Sequence, residues 1–338
     1  MIKTAIHQLL MGKDLDAATA ETVMEQIIKG SATNAQIGSF LTAMRMKGET
    51  IDEITAFAKV MREKCIKLKP DRDVLDIVGT GGDGADTFNI STVSSFVVSS
   101  GGVPVAKHGN RSISSKCGSA DVLEALGAKI DLTAAQSQKV LNAVNMCFMF
   151  APVYHASMRY AAPVRKELGV RTVFNILGPL SNPAGANMQL LGVYDENLVE
   201  PLARVLQNLG VKRGAVVHGR DGLDEVSLCA ATTVCEINGD KINSFFLSPE
   251  QLGLKKCVKE ELAGGNPSEN AEIALNILNG TDRGAKRDIV VLNSAVCLYM
   301  SHNNKTLRDC VRLAERLIDS GAAKSQLDKF ITLTNSVQ

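Results

Sequence analysis

The sequence predicts an α/β protein: a small all-helical domain plus a large α/β domain with a mostly parallel central sheet flanked by helices. Three observations predict this fold. The first 68 residues show only helical periodicity, the middle alternates short apolar strands with helices, and the chain is helical again from residue 269. Its 338 residues suffice for two domains. We place the small one at 1–68 and the large one at 72–151 and 189–338.

The predicted small domain is built from amphipathic helices. Apolar residues recur at spacings of three and four between Ile37 and Met44 and again between Ile54 and Met61. Each of these helices begins with a capping-box pattern, Thr33 with Gln36 and Thr50 with Glu53. A helical block without a large core of its own usually packs on another domain or a second subunit. We favour a dimer surface here.

In the predicted large domain, strands and helices alternate. The expected strands are 74–78, 103–106, 190–194 and 215–218, and the expected helices are 91–100, 119–126, 134–144 and 197–209. This alternation is typical of a parallel sheet with helices on both faces. Residues 152–188 are rich in Pro and Gly and interrupt the rhythm. We expect part of that segment to return to the small domain. The last helices are predicted at 269–279, 284–301, 305–319 and 323–331.

Composition excludes several classes of function. The net charge is +1, from 37 basic and 36 acidic residues, which argues against a nucleic-acid partner or a polybasic membrane surface. No apolar stretch approaches the roughly 20 residues of a membrane span, and no signal peptide is apparent, so we expect no membrane association and a cytoplasmic protein. The eight cysteines are scattered without metal-ligand spacing, which favours buried, reduced thiols.

A glycine-rich segment, Gly79-Thr-Gly-Gly-Asp83, follows the first predicted strand. Glycines let backbone N–H groups turn toward an anion, and the next helix adds positive potential at its N-terminus. Asn89, Ser91 and Thr92 open that helix, as N-caps or as hydroxyl ligands. The segment matches neither the Walker A motif nor a dinucleotide-binding motif. Taken alone, it leaves a generic tight turn and a phosphate cradle about equally open.

The second predicted strand is followed by Lys107-His-Gly-Asn-Arg-Ser-Ile-Ser-Ser-Lys-Cys-Gly-Ser119. Three cations and four hydroxyls in one glycine-punctuated loop can neutralise several phosphate oxygens. The alternative is a solvated polar loop. Because ligands of α/β sheets bind beyond the carboxyl ends of the strands, two such loops on neighbouring strands favour an anion site.

Arg165 and the pair Asp224-Glu225 are weaker signals. A single arginine on a helix, such as Arg165, is usually a surface charge. Adjacent carboxylates after a strand suit Mg²⁺, although an acidic turn is the simpler explanation of the pair on its own. Opposite a polyphosphate site the magnesium interpretation becomes the better one, because Mg²⁺ is normally shared between carboxylates and phosphate oxygens.

Together these segments resemble the anthranilate phosphoribosyltransferases of tryptophan biosynthesis, and the similarity runs along nearly the whole chain. Any single motif is a modest signal, but their order along the sequence is specific. The motifs are Gly79–Gly84, Thr87–Thr92, Lys107–Arg111, Gly118–Gly127, Arg171–Leu180, Asn182-Pro183 and Gly222–Glu225.

The resemblance implies the fold shared with pyrimidine nucleoside phosphorylases and a homodimer formed through the N-terminal helices. It also implies the substrates phosphoribosyl diphosphate and anthranilate, with Mg²⁺ held by Ser91, Asp224 and Glu225. It places the diphosphate and ribose phosphate of the donor on Gly79–Asp83 and Asn89–Thr92, with Lys107 and the 110–119 loop closing over the same donor. The implied donor-binding residues are Gly79, Thr80, Gly81, Gly82, Asp83, Thr87, Asn89, Ile90, Ser91, Thr92, Lys107, Asn110 and Ser119.

For the acceptor, the resemblance implies that Arg165 meets the anthranilate carboxylate. His108, Asn110, His155 and Gly178 would line the acceptor channel. Lys107, His108 and Arg165 are the expected catalytic residues. Two departures from the family pattern are Met158, where some relatives carry Tyr, and Cys117, which replaces a smaller residue.

Two other functions remain open from the sequence. A pyrimidine nucleoside phosphorylase of the same fold would use inorganic phosphate and need no acidic magnesium pair, so Asp224-Glu225 and Lys107-His-Gly-Asn argue against it. A non-catalytic relative that binds nucleic acid would need a basic groove, and the near-zero net charge argues against that.

Overall fold

The computed structural model describes residues 1–112, 115–302 and 304–338. The strands within these residues are β1 (Leu75–Gly79), β2 (Val105–Gly109), β3 (Met146–Phe150), β4 (Met188–Gly192), β5 (Arg213–Gly219), β6 (Thr232–Asn238) and β7 (Lys241–Leu247). The helices are α1 (Ile2–Leu10), α2 (Ala17–Ile28), α3 (Asn34–Lys47), α4 (Ile51–Lys64), α5 (Ile90–Ser100), α6 (Ser119–Ala125), α7 (Ala134–Val144), α8 (Ala151–Tyr154), α9 (Ala162–Leu168), α10 (Phe174–Leu180), α11 (Val199–Asn208), α12 (Pro267–Leu278), α13 (Ala285–Ser301), α14 (Leu307–Asp319) and α15 (Ala322–Ser336).

The seven strands form one sheet in the order β3-β2-β1-β4-β5-β6-β7. The first five are parallel to their neighbours, and β6 and β7 add an antiparallel hairpin beside β5. Helices α1 to α4 precede the first strand in the chain, and helices pack on both faces of the sheet. The predicted fold class, a small helical part plus a mostly parallel α/β part, is therefore confirmed.

Three strands were not predicted. The segment of β3 is uniformly apolar and short, so its sequence shows no alternation that would separate it from a buried helix or loop. The hairpin β6–β7 turns at Gly239, which has a positive φ of 59°. Its strands carry a mixed polar pattern, because β7 lies at the sheet edge and is mostly exposed. Periodicity alone therefore misses it.

One boundary prediction was wrong in a way that affects the site. The second strand was expected at 103–106, with Lys107, His108 and Gly109 in the following loop. The structure places all three in β2, where they pair in register with Phe148, Met149 and Phe150 of β3. Because β3 was not predicted, the sequence offered no partner strand for these residues.

The N-terminal helices are capped and packed as their patterns indicate. Both capping boxes are formed, by Thr33 with Gln36 and by Thr50 with Glu53. Their apolar faces share one core with α9, α10 and α11 and with one face of the sheet. The helical block therefore packs directly on the large part of the chain.

The other face of the sheet is covered by α5 and α13, which pack against each other, with α14 and α15 outside them. All eight cysteines lie within the described residues, and none forms a disulfide. In that same part of the chain, no helix is both long and apolar enough to span a membrane.

Candidate active site

Two turns meet where β1 and β5 end, beside the β2 strand that lies next to β1 in the sheet. The glycine-rich turn after β1 contacts the acidic turn after β5, since the backbone N–H of Gly81 donates to Asp224 Oδ2 at 2.7 Å. Gly81, Gly82 and Gly84 all have φ near +70°, a conformation that favours glycine. Thr80 continues the sheet beyond β1, because its N–H donates to Gly192 O and its hydroxyl accepts from the N–H of Tyr194. The sequence motifs on separate strands thus form one surface.

Glycines at the ends of β1 and β4 make room for the acidic turn. A Cβ atom added to Gly79 would overlap the Asp224 carboxylate, and one added to Gly192 would overlap the Asp224 backbone. Any larger residue at either position would push Asp224 away from the sheet edge. These glycines therefore set the position of the acidic pair.

The carboxylates in these turns repel one another. Burial, together with the neighbouring carboxylates of Asp83 and Glu225, raises the pKa of Asp224 well above its usual value. Burial raises the pKa of Glu225 to about 7, and nearby Lys107 and hydrogen bonds from Ser91 oppose that rise. Asp83 also accepts from the N–H of Ala85 at 3.2 Å. Three acidic side chains crowded in this way favour a bound cation.

Lys107 is the one cation buried among these groups in the described chain, with 2% of its surface exposed. Its Nζ donates to Ser91 Oγ at 3.2 Å and to the carbonyl of Ile77. Burial lowers the pKa of Lys107, while the carboxylates of Asp76 and Glu225 oppose that shift. The lysine thus sits between the turn after β1 and the acidic pair.

Two buried residues to which the sequence analysis gave no role hold β2 in place. Asp76 of β1 is fully buried, accepting from the backbone N–H of His108 at 3.2 Å and from Asn182 Nδ2 at 2.7 Å. Burial raises the pKa of Asp76 to about 6. Asn182 also donates to Ala106 O. Asp76 stands inside an otherwise apolar strand, and a charged residue at such a position is the sequence feature that could have indicated its role.

The loop that follows β2 is tied to the start of α5. Asn89 precedes this helix, and its Nδ2 donates to Cys117 O at 3.0 Å. Asn110 O accepts from both the N–H of Ala120 and the hydroxyl of Ser119. Ile113 and Ser114, which belong to the predicted donor loop, lie outside the described residues. The described part of the loop is thus held at the start of α5.

The other residues that were predicted to bind the phosphoribosyl donor differ in whether their side chains can contact a ligand. Thr87 pairs with Ala263 in an isolated bridge. Ile90 is packed in the core below the sheet edge, so only its backbone can face a ligand. Thr92 is buried as well, and its hydroxyl has no hydrogen-bond partner among the described residues.

The predicted acceptor residues form a different surface. The rings of His108 and His155 lie 5.0 Å apart, and both side chains are buried. His155 Nε2 is 3.0 Å from Ser181 O, and the ring of His108 interacts with the backbone of Gly178. Burial lowers the pKa of His108 to about 3 and that of His155 to about 4. Both rings are therefore neutral at pH 7.

Arg165 lies on α9 and is half-buried. Its guanidinium stands 5.4 Å from the ring centroid of Phe174 on α10, the helix that also carries Gly178. Burial lowers the pKa of Arg165. Among the described residues, no carboxylate lies within 4 Å of its guanidinium. Helix α10 thus connects the arginine to the histidine pair.

Arg171 is a third residue to which the sequence analysis gave no role at the site. Its Nη2 donates to Gly82 O, and its guanidinium stacks 4.1 Å from the ring centroid of Tyr194. The segment before α10 is thereby tied to the glycine turn. Nothing in the residues around it distinguishes this arginine from an ordinary surface cation.

The oxygen atoms around the acidic pair suit a magnesium ion that a bound ligand also coordinates. Ser91, Asp224 and Glu225 supply only oxygen, which Mg²⁺ prefers. Within the described residues, no group of three or more His, Cys, Asp and Glu side chains could hold a metal ion by itself. Mg²⁺ at this position would therefore take its remaining ligands from water and from phosphate.

Comparisons with known proteins agree with this arrangement. The family model "Glycosyl transferase family, a/b domain" matches residues 71–324, and "Glycosyl transferase family, helical bundle domain" matches 3–65. The anthranilate phosphoribosyltransferase of Ruminiclostridium cellulolyticum is 73% identical over 99% of this chain and 98% of its own length.

Solved structures give the same result. The Thermus thermophilus anthranilate phosphoribosyltransferase is 40% identical, with a TM-score of 0.93 over 98% of this chain and 99% of its own. The Saccharomyces cerevisiae enzyme, solved with PRPP and Mg, is 30% identical, with a TM-score of 0.92 over 99% and 98%. From its motifs, its fold and these relatives, this chain belongs to the anthranilate phosphoribosyltransferase family.

Proposed function

We propose that this chain transfers the 5-phosphoribosyl group of 5-phospho-α-D-ribose 1-diphosphate to the amine of anthranilate and releases diphosphate. The observation that carries the proposal is the meeting of a glycine turn, a buried lysine and an acidic pair where β1, β2 and β5 end. The yeast relative that was solved with PRPP and Mg supports the choice of donor.

On the donor side, the chain stabilises the charge that develops on the departing diphosphate. Backbone N–H groups of the 79–83 turn are preorganised by their glycine conformations, and Lys107 supplies a buried positive charge. One donor of this kind typically contributes about 3–4 kcal/mol to transition-state stabilisation. Ser91, Asp224 and Glu225 would hold Mg²⁺, which supplies further positive charge to the diphosphate when bound.

On the acceptor side, orientation matters more than proton transfer. The amine of anthranilate is neutral at pH 7, so no strong base is needed to produce the nucleophile. Arg165 pairs with the anthranilate carboxylate and aims the amine at the anomeric carbon. His108 and His155, being neutral, pack against the aromatic ring without competing for the carboxylate. The transfer proceeds as a sequential displacement without a covalent enzyme intermediate.

The assembly that fits this chain is a homodimer through the N-terminal helices. Leu10, Met11 and Met46 of this block are 67%, 75% and 81% exposed, which is unusual for large apolar side chains. We place the small helical domain at 1–68 with part of 152–188, beside a large domain at 72–151 and 189–338. The biosynthetic reaction suits the cytoplasm.

The direct test is loss of anthranilate fluorescence after phosphoribosyl diphosphate and Mg²⁺ are added to the purified chain. We expect the loss to need all three components and to release diphosphate in equal amount. Thymidine or uridine with inorganic phosphate is the matched control and should give no free base. Phosphorolysis without any loss of anthranilate would refute the proposal.

A further inference from the structure

Two cysteines outside the proposed substrate site lie against each other. Cys229 Sγ and Cys257 Sγ are 3.4 Å apart, and both residues are half-buried. The other half-buried cysteine, Cys65, donates to the carbonyl of Arg62 instead. The remaining five cysteines are buried. This pair is therefore the accessible thiol pair in the described chain.

The pair connects the acidic turn to a second segment near the donor turn. Cys229 follows Asp224-Glu225, and its N–H donates to Ser227 Oγ, which itself donates to Asp221. Cys257 begins a segment whose next residues return to the same turn, since Lys259 Nζ donates to Asp221 O. Asp221 and Lys259 line a cavity of about 330 Å³ together with Asp83, Gly84 and Ala85.

The segment that begins at Cys257 also contacts the chain leading into α5. The N–H of Phe88 donates to Leu262 O at 3.3 Å, and the N–H of Gly264 donates to Asp86 O at 2.9 Å. These contacts lie next to Thr87 and Asn89, which are among the proposed donor-binding residues. A covalent link at Cys257 would thus join the acidic turn to the entrance of the donor site.

We propose that Cys229 and Cys257 form a reversible disulfide that slows use of the donor. The oxidant is a low-molecular-weight disulfide. A Cys229 thiolate attacks one sulfur of that disulfide, forming a mixed disulfide and releasing one small thiolate. The Cys257 thiolate then attacks Cys229 Sγ and releases the second. Two protein thiols and one small disulfide thus become one protein disulfide and two small thiols.

The hydrogen bond between the two sulfurs sets the order of attack. Burial raises the pKa of both thiols, to about 12 for Cys257. The contact with Cys257 lowers the pKa of Cys229, whereas the contact with Cys229 raises that of Cys257. Of the two thiols, Cys229 is therefore the one that ionises first and acts as the nucleophile.

Closing the bond moves parts of the site. Closing the sulfur–sulfur distance from 3.4 Å to about 2.05 Å draws the two segments together by up to roughly 1 Å. A misplacement of about 1 Å at a reacting centre can reduce turnover by roughly 100-fold. This effect on turnover rests on the proposed function, whereas formation of the disulfide itself does not.

The experiment compares the full chain in reduced and oxidised glutathione. After thiol blocking and trypsin digestion without reductant, we expect Asp221–Lys241 joined to Cys257–Lys259, two hydrogens lighter than the separate peptides. Fragmentation distinguishes Cys229 from Cys235, which lies in the same peptide. Turnover should fall at least threefold on oxidation and recover with dithiothreitol.

Matched variants separate the possible outcomes. Cys229→Ser and Cys257→Ser should each lose both the crosslink and the sensitivity to oxidation, whereas Cys65→Ser should keep both. Absence of the joined peptide at full oxidation would overturn the proposal, as would complete crosslinking with unchanged turnover. If the reduced chain does not turn over at all, the proposed function fails, while the peptide measurement still reports on the disulfide.

Discussion

The two sides of the proposed active site, one assigned to the donor and one to the acceptor, are built on opposite electrostatic principles. The donor side crowds Asp83, Asp224 and Glu225 around buried Lys107, and burial with mutual repulsion raises the carboxyl pKa values of the acidic pair. The acceptor side has two neutral histidine rings and a half-buried arginine. Both sides share β2, since Lys107 and His108 are neighbours whose side chains point to opposite faces.

This difference indicates what each side needs from its ligand. On the donor side the carboxylates repel one another, and a magnesium-bound diphosphate would relieve that repulsion. Removing these carboxylates should therefore reduce turnover strongly and change the stability of the fold little. On the acceptor side the histidines are neutral and packed and the positive charge comes from Arg165, so this arginine should affect the affinity for one substrate. Variants that separate turnover, affinity and stability therefore test the comparison.

The largest effect is expected from Asp224→Asn combined with Glu225→Gln. Both amides keep an oxygen, and the new amide at position 224 can still accept from the N–H of Gly81, but the two charges that would hold Mg²⁺ are removed. We expect Mg²⁺-dependent turnover to fall by at least about 1,000-fold, as for loss of a main electrostatic contribution. The melting temperature should stay equal or rise, because both carboxyl pKa values are raised in the folded state.

Asp240→Asn is the control for that variant, since it removes an exposed carboxylate in the β6–β7 turn. It should leave the Mg²⁺ response unchanged. A double variant with a normal Mg²⁺ response would remove the metal assignment. A double variant that unfolds would contradict the idea that these charges oppose folding.

A smaller effect is expected from Arg165→Ala. A hydrogen-bonded charge pair contributes about 1.5–3 kcal/mol, so the KM for anthranilate should rise roughly 10- to 100-fold. The KM for phosphoribosyl diphosphate should change less than about twofold, since Arg165 has no described contact with the donor turns. Lys166→Ala, on the same helix and exposed, is the control. Equal weakening of both substrates would contradict the separation of the two sides.

The parts of this site that could be predicted are those with local signals. The 79–83 turn and the 224–225 pair both follow apolar strands, and although each has a structural explanation of its own, their combination favours a magnesium-bound phosphate. The fold class followed from alternation and periodicity for the same reason. Lys107 was predicted as a site residue, although its place in β2 rather than a loop depended on β3.

The parts that could not be predicted depend on distant contacts. Asp76 and Asn182 are 106 residues apart, and nothing near either in the sequence reports their hydrogen bond. Arg171 contacts Gly82 across 89 residues. The Cys229–Cys257 contact likewise lacks any spacing motif, because an antiparallel hairpin that was not predicted separates the two cysteines along the chain.

The smallest effect concerns the pH dependence of stability on the acceptor side. Because the pKa of His155 is about 4 when folded and near 6.5 when unfolded, its contribution to stability is present above pH 6.5 and lost as the pH falls. His155→Asn removes this dependence. Between pH 7 and pH 5, wild type should lose about 2 kcal/mol more of its unfolding free energy than the variant does.

Urea unfolding of both proteins at the two pH values measures this difference directly. The comparison with the variant is needed because two carboxyl groups have the opposite effect on stability. The pKa values of Asp76 and Glu225 are raised to about 6 and 7, so these groups stabilise the fold as the pH falls and offset the destabilising effect of the histidines in wild type. His7→Asn, at an exposed position of α1, should behave as wild type. Equal pH dependence in wild type and His155→Asn would mean that the ring keeps an ordinary histidine pKa of about 6.5 in the fold, and the proposed acceptor side would then gain a positive charge as the pH falls toward 5.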